Sequence, residues 1–294
     1  MSKQTIGFIG LGLMGRAMCD HMQDQGYGLN VMANRSREAV DVAVSKGATE
    51  RSTPKEIAEH SDIIMLCVDT SQSVEGRMYG DDGVIAGLSA GKVVIDFGTS
   101  LPASTLKIGE DVEKTGAFYL DSPIGRTPSH ARDGLLNLMC SGPRQGYETA
   151  EEILKVLGEN VFYLGDLGSG HTIKLINNFF GMTVANAMAE AFAMADKMGV
   201  ERQQLYDVMS AGPLHSGMMD FVKGYAIGGD PSQLAFAIKN AAKDVGYYSQ
   251  MSKDAGVESI MSKSTLKALE AARDSGMGDD MVSQMTDFYK NEFS

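Results

Sequence analysis

The chain has little of what would mark a protein for export, for a membrane or for nucleic acid. Its three cysteines, Cys19, Cys67 and Cys140, are far apart and sit in apolar stretches. An odd, scattered set excludes a disulfide framework and predicts buried, reduced thiols in a reducing compartment. No apolar run reaches the ~18 residues of a membrane span. Met1-Ser2-Lys3-Gln4 leads straight into a strand pattern without the apolar stretch of a signal peptide. A cytoplasmic protein with no membrane partner is therefore expected. Runs of lysine and arginine are missing too, and a formal net charge of −12 repels a polyanion, so nucleic acid is not an expected partner. The five histidines keep no metal-ligand spacing, so no metal is expected, and neither a nucleophile triad nor a P-loop is present. Twenty methionines, among them Met182, Met188, Met194 and Met198, read as pliable core packing.

What is present is a change of grammar along the chain. Short apolar runs at residues 5–9, 29–33, 62–68, 93–96, 118–121, 135–140 and 161–164 read as strands. Several are apolar at consecutive positions, as strands covered on both faces are. Helical patterns lie between most of them, for example at 14–25, 37–46 and 102–114. This alternation predicts a Rossmann-like, doubly wound α/β sheet. After Gly168-Ser169-Gly170 no strand signal remains. Residues 171–198 form one long helical pattern ended by Gly199, and further helices are expected near 202–211, 217–226, 234–251, 259–274 and 281–290. The boundary is placed at 165/166, with an all-α C-terminal domain joined by the long helix.

Gly10-Leu11-Gly12-Leu13-Met14-Gly15 has the G-x-G-x-x-G spacing. The string is weak alone, but here it follows a strand and opens a helix, as dinucleotide binding requires. Gly10 allows the tight turn, Gly12 lets backbone approach a pyrophosphate, and Gly15 lets helix and sheet pack closely. The second strand ends Val31-Met32-Ala33-Asn34-Arg35-Ser36-Arg37. No carboxylate is there for the adenosine ribose, whereas Arg35, Arg37 and the Ser36 hydroxyl offer donors to a 2′-phosphate, or else the two arginines solvate the start of a helix. Asn34, Arg35 and Ser36 are the cofactor-side candidates. NADP(H) is preferred over NAD(H). Cys67 and Val68, at the end of the strand at 62–68, are further cofactor-side candidates.

These motifs resemble the β-hydroxyacid dehydrogenase family, the group of 3-hydroxyisobutyrate dehydrogenase and tartronate semialdehyde reductase. The glycine turn matches the family's opening. Asp96-Phe97-Gly98-Thr99-Ser100 stands where the family has Asp-x-Ser-Thr near the nicotinamide, so Thr99 carries over. Gly170-His171-Thr172-Ile173-Lys174-Leu175-Ile176-Asn177-Asn178 matches the catalytic stretch G-x-x-x-K-x-x-N-N, and Phe236 with Lys243-Asp244 resembles the segment that closes over cofactor and active site. The resemblance implies a semialdehyde reductase with a homodimeric or homotetrameric assembly. The chemistry agrees: Lys174 supplies a proton and stabilises a developing alkoxide, while Asn177 and Asn178 hold substrate. A lysine inside a mostly apolar helix is otherwise hard to explain, since buried charge is costly.

The substrate segment departs from the family's Asp-x-Pro-Val-Ser-Gly-Gly. It reads Asp121-Ser122-Pro123-Ile124-Gly125-Arg126-Thr127 and resembles that of sulfolactaldehyde reductases. Ser122, Gly125, Arg126 and Thr127 are the substrate-binding candidates, with Arg126 as a clamp for a small anion or else paired to Asp121 or Asp133. His171 is a weaker candidate for a role in catalysis, and His215 for contact with substrate. Three rivals are considered: an imine reductase, which carries another residue at the lysine position; a larger sugar-acid dehydrogenase, which needs more helical chain; and a non-catalytic cofactor-binding scaffold, which the acidic balance opposes.

Overall fold

The computed structural model describes residues 3–34 and 37–294, so Arg35 and Ser36 lie outside the described residues. It divides into two compact units, Met1–Lys174 and Leu175–Ser294. In the first, β1 (Ile6–Ile9), β2 (Leu29–Val31), β3 (Thr49–Glu50), β4 (Ile63–Leu66), β5 (Val93–Asp96) and β6 (Phe118–Asp121) form one parallel sheet in the order β3-β2-β1-β4-β5-β6. Between them run α1 (Leu13–Asp24), α2 (Glu38–Ser45), α3 (Pro54–Glu59), α4 (Ser71–Met78) and α5 (Pro102–Glu113). The consecutive apolar residues of the strands divide between two cores. Phe8, Met65 and Ile95 enter one with Met18 and Met22 of α1, while Ile9, Ile64 and Val94 enter the other with Ile57 and Ile108. Burial on both faces is why these strands lack polar alternation.

The last two expected strands do not join that sheet. Residues β7 (Ile124–Gly125), β8 (Leu136–Cys140) and β9 (Gly158–Tyr163) form a second, three-stranded sheet, with α6 (Pro128–Arg132) and α7 (Arg144–Leu157) between them. β7 pairs antiparallel with β8, and β8 parallel with β9. The expected doubly wound sheet is formed by β1–β6, and the three-stranded sheet is an addition to it. The chain reverses after β6 instead of crossing over, because Asp121 and Ser141 exchange two backbone hydrogen bonds of 3.1 and 2.8 Å.

The long helix α8 (Ser169–Lys197) begins in the first unit, and its first turn is fixed by a buried carboxylate. Asp121 accepts from the N–H groups of Gly168 (2.8 Å) and His171 (2.7 Å), and from Ser141 Oγ. Gly170 N donates to that same Ser141 Oγ at 2.9 Å. A Cβ on Gly170 would overlap Met139 O, so only glycine permits this approach. The division at Lys174 thus lies beyond the boundary expected at residue 165, inside the helix, because the helix start is bonded to β6.

The second unit is helical: the rest of α8, then α9 (Arg202–Ser210), α10 (Gly217–Ala226), α11 (Ile238–Asp254), α12 (Ile260–Ala272) and α13 (Met285–Glu292). Met182, Ala185, Ala189 and Phe192 of α8 recur at helical spacing in its core, with Val222, Val245 and Leu269. Met182 and Met188 are core residues as expected, but Met194 and Met198 are exposed at 45% and 71%. Gly199, at φ +71°, follows the end of α8 as a cap glycine does. Among the described residues no helix is long and apolar enough to cross a membrane.

The Asp121 cap predicts a stability effect. Asp121→Ala leaves main-chain donors of the α8 start buried without acceptors and should cost about 3 kcal/mol. Urea unfolding followed by circular dichroism measures it, and a midpoint equal to that of the wild type refutes the cap.

Candidate active site

The dinucleotide end is built at the carboxyl ends of β1, β2 and β4. β1 leads through Gly10 and Leu11 to Gly12, the N-cap of α1. Gly10 has φ +103°, and a Cβ there would overlap Cys67 O; a Cβ on Gly15 would overlap Gly10 O. Gly12 differs: a Cβ there would meet nothing within 4 Å. The turn therefore fits the expected role, with backbone open to a phosphate and the positive end of α1 behind it. Gly10, Leu11, Gly12, Asn34, Cys67 and Val68 line one cavity of about 560 Å³. Leu13, Met14 and Gly15 are in the helix turn behind and do not line it; Leu13 is 85% exposed. Sequence reasoning missed Met32, Asp69, Ser73, Gly76 and Arg77, which complete the wall. The last three belong to α4, whose polar sequence has little periodicity. The available signal was Thr70, which caps the helix by accepting from Ser73 N at 3.0 Å.

Asp96, at the end of β5, is fully buried. It accepts from Gly98 N (2.8 Å) and Ser100 Oγ (2.9 Å), which shapes the loop carrying half-exposed Thr99. His171 is also fully buried. Its Nδ1 is hydrogen-bonded to Thr105 Oγ1 at 2.7 Å, and its Nε2 lies 3.7 Å from Asp96 Oδ2. That burial makes His171 part of the support for α8. His215 lies exposed against Asp220 at 3.0 Å. Of the cysteines, Cys19 and Cys140 are buried, while Cys67 is only half-buried because it borders the cavity.

One turn beyond His171, Lys174 Nζ donates to Ile124 O at 2.7 Å, which brings the lysine onto the substrate segment. Within that segment Ser122 is completely buried, with its N–H on Asp96 O at 2.8 Å. Gly125 is half-buried in β7, and Thr127 Oγ1 is shared by Ser129 Oγ (2.8 Å) and His130 Nδ1 (2.7 Å). Arg126 pairs with neither Asp121 nor Asp133. Its NH1 donates to Leu135 O at 2.6 Å and forms a 2.5 Å ion pair with Glu159 at the start of β9. Arg126 is also the single described non-glycine residue with positive φ, at +80°. Such a backbone costs about 1–3 kcal/mol and persists where the surroundings hold it.

In the second unit, the remaining candidates join in a polar chain. Asn177 Nδ2 lies 3.3 Å from Asn178 Oδ1, and Asn178 Nδ2 donates to buried Asp244 at 2.7 Å. Asp244 in turn pairs with Lys243 at 3.0 Å, whose Nζ sits 5.2 Å from the centre of the Tyr247 ring. Phe236 is half-buried against the helical core. Asn178 thus orients α8 against α11, a role its spacing from Lys174 did not reveal. Exposed Asn177 is the more accessible of the two.

Two family models match the chain. One, for the NAD binding domain of 6-phosphogluconate dehydrogenase, covers residues 5–165. The other, for the NAD-binding part of NADP-dependent 3-hydroxyisobutyrate dehydrogenase, covers residues 168–289. The chain belongs to the β-hydroxyacid dehydrogenase family. It is 31% identical to the 3-sulfolactaldehyde reductase of Escherichia coli over 93% of its length and 92% of that protein. It is 27% identical to the chloroplastic glyoxylate/succinic semialdehyde reductase 2 of Arabidopsis thaliana, over 97% and 79%. The Mycobacterium tuberculosis 3-hydroxyisobutyrate dehydrogenase solved with L-serine shares the fold, with TM-score 0.84 and 22% identity over 98% and 99% of the two chains. This family member is accordingly an NAD(P)-binding oxidoreductase acting on CH–OH, of the hydroxyacid dehydrogenase and semialdehyde reductase type.

The glycines predict separable defects. Gly12→Val should leave the unfolding midpoint unchanged, because its side chain enters open space, yet weaken dinucleotide binding about tenfold or more. Gly10→Ala should destabilise the fold itself. Calorimetric titration beside thermal melting separates the two, and normal dinucleotide affinity in Gly12→Val refutes the cradle.

Proposed function

We propose that the chain is an NADP(H)-dependent oxidoreductase that interconverts a small anionic β-hydroxy acid, or a hydroxyalkyl sulfonate, and its semialdehyde, with Lys174 as general acid and base. The observation that carries this reading is the seat of Lys174, held on Ile124 O of the substrate segment one turn after a helix start fixed by Asp121. When bound, the dinucleotide supplies the hydride that turns carbonyl into alcohol. Lys174 Nζ holds a proton for the oxygen that becomes alkoxide, and its charge stabilises that oxygen before the proton moves. In the oxidative direction the neutral amine takes the hydroxyl proton. An imine has no such oxygen, which is why a lysine here favours carbonyl chemistry.

Arg126 is assigned the substrate anion, which it takes in exchange for Glu159. A planar fork suits carboxylate and sulfonate, and the strained backbone that presents it supports a functional role. Asn177 is assigned a supporting hydrogen bond to substrate. NADP(H) is favoured by the neutral Asn34 where NAD-binding chains carry a carboxylate. A homodimer or homotetramer is favoured by Ile176 and Phe180, exposed at 48% and 68% on α8.

Lys174→Ala should retain NADPH binding and lose about 10²–10⁴-fold in turnover with short anionic semialdehydes. Steady-state rates beside a binding titration test this, and turnover near that of the wild type overturns the assignment. Arg126→Ala should raise KM for those substrates far more than it lowers kcat, and should leave a neutral aldehyde of the same length unaffected. An equal effect on both aldehydes removes Arg126 from the substrate site.

A further inference from the structure

The wall of the dinucleotide cavity contains a cation that the glycine turn and the end of β2 do not account for. Arg77 lies near the end of α4, and Ser73, Gly76 and Arg77 fall at the spacing that places them on one helical face. Gly76 has nothing within 4 Å of a notional Cβ, which leaves a flat, open strip beside the guanidinium. Arg77 NH2 donates to Asn34 Oδ1 at 2.7 Å, across 43 residues of sequence. Arginine carries only donors, so the Asn34 oxygen must face it and the Asn34 amide N–H groups must point elsewhere. The edge formed by Arg77 and Asn34 is therefore one of donors. A ribose hydroxyl pair is served best by a carboxylate acceptor, whereas a phosphate monoester accepts hydrogen bonds at every oxygen. Asp69 is the one carboxylate among the described lining residues, and it accepts from Ser73 Oγ at 2.7 Å.

We propose that Arg77, steadied by Asn34, is a cofactor-specificity residue whose guanidinium holds the 2′-phosphate of the adenosine half of NADP(H). The inference rests on the NADP(H) reading above and adds to it a residue from α4, far in sequence from the β2 end. Asn34 fixes one arm of the guanidinium and leaves the fork pre-organised for the anion, so little side-chain freedom is lost on binding.

The test is equilibrium binding, independent of turnover. The chain has no tryptophan, so calorimetry or enhancement of nicotinamide fluorescence is the suitable signal. NADPH and NADH are titrated into wild type, Arg77→Ala, Arg77→Gln and Arg77→Lys, with 2′,5′-ADP and 5′-AMP as adenosine-end probes. Wild type should prefer the phosphorylated member of each pair. Arg77→Ala and Arg77→Gln should lose about tenfold or more for NADPH and 2′,5′-ADP, equivalent to about 1.4 kcal/mol, with NADH and 5′-AMP hardly changed. Arg77→Lys should recover part of the loss. If wild type prefers NADPH but the variants keep that ratio, or lose both cofactors equally by forfeiting a stacking surface for adenine, Arg77 is not the discriminator and the NADP(H) reading stands. If wild type shows no preference for NADPH, both fall.

Discussion

The carboxylate of Asp121 is the constraint on which the catalytic region depends. A buried carboxylate without donors is costly, and so is the start of a long helix whose first N–H groups have no acceptors. Here each supplies what the other lacks. Asp121 ends β6, accepts the N–H groups of Gly168 and His171, and through Ser141 also ties Gly170. Its negative charge lies at the positive end of a 29-residue helix, where the dipole favours it. The backbone of the same residue bonds to Ser141 and so links the parallel sheet to the second one. His171, packed between Asp96 and Asp121 and tied to Thr105, fills the space beneath the turn. The lysine comes one turn later on a helix that has little room to shift. Positioning of this kind is what the proton transfer proposed for Lys174 needs, since small misplacements of a catalytic group are expensive in rate.

Much of this was legible in the sequence because it is local. The turn at Gly10–Gly15 is readable because the strand before it, the glycine positions and the helix after it each have a separate steric reason. The sheet strands were readable because burial on both faces removes polar alternation, and the long helix because its core residues recur every three or four positions. Longer-range pairing carries no such signature. Nothing near Leu136–Cys140 says that it pairs with the two residues of β7 instead of extending the main sheet. Arg126 finds Glu159 across 33 positions, and Asn178 finds Asp244 across 66, partners chosen by the fold and invisible to helical spacing. Arg77 was hidden for a different reason: α4 is short and polar, so its cap was a better guide than its periodicity. Met194, and Met198 just past the end of α8, show the converse, residues of core type left on the surface where Met182 and Met188 are buried.

The three glycines of the turn illustrate how packing and function can be told apart at a single residue type. At Gly10 a positive φ and the nearness of Cys67 O require glycine whether or not anything ever binds. At Gly15 the Gly10 carbonyl does the same. Gly12 has an ordinary negative φ of −72° and open space where a Cβ would lie. Neither backbone conformation nor internal packing therefore explains it, and any small residue would fold there. The proposed explanation is a dinucleotide phosphate approaching the backbone from outside, where the positive end of α1 faces an open cavity. The same reasoning applies to Arg126, where the backbone would prefer glycine and the chain keeps an arginine. At Arg126 the residue type runs against local backbone preference, and the proposed substrate anion supplies a physical reason for it, as the proposed phosphate does for Gly12.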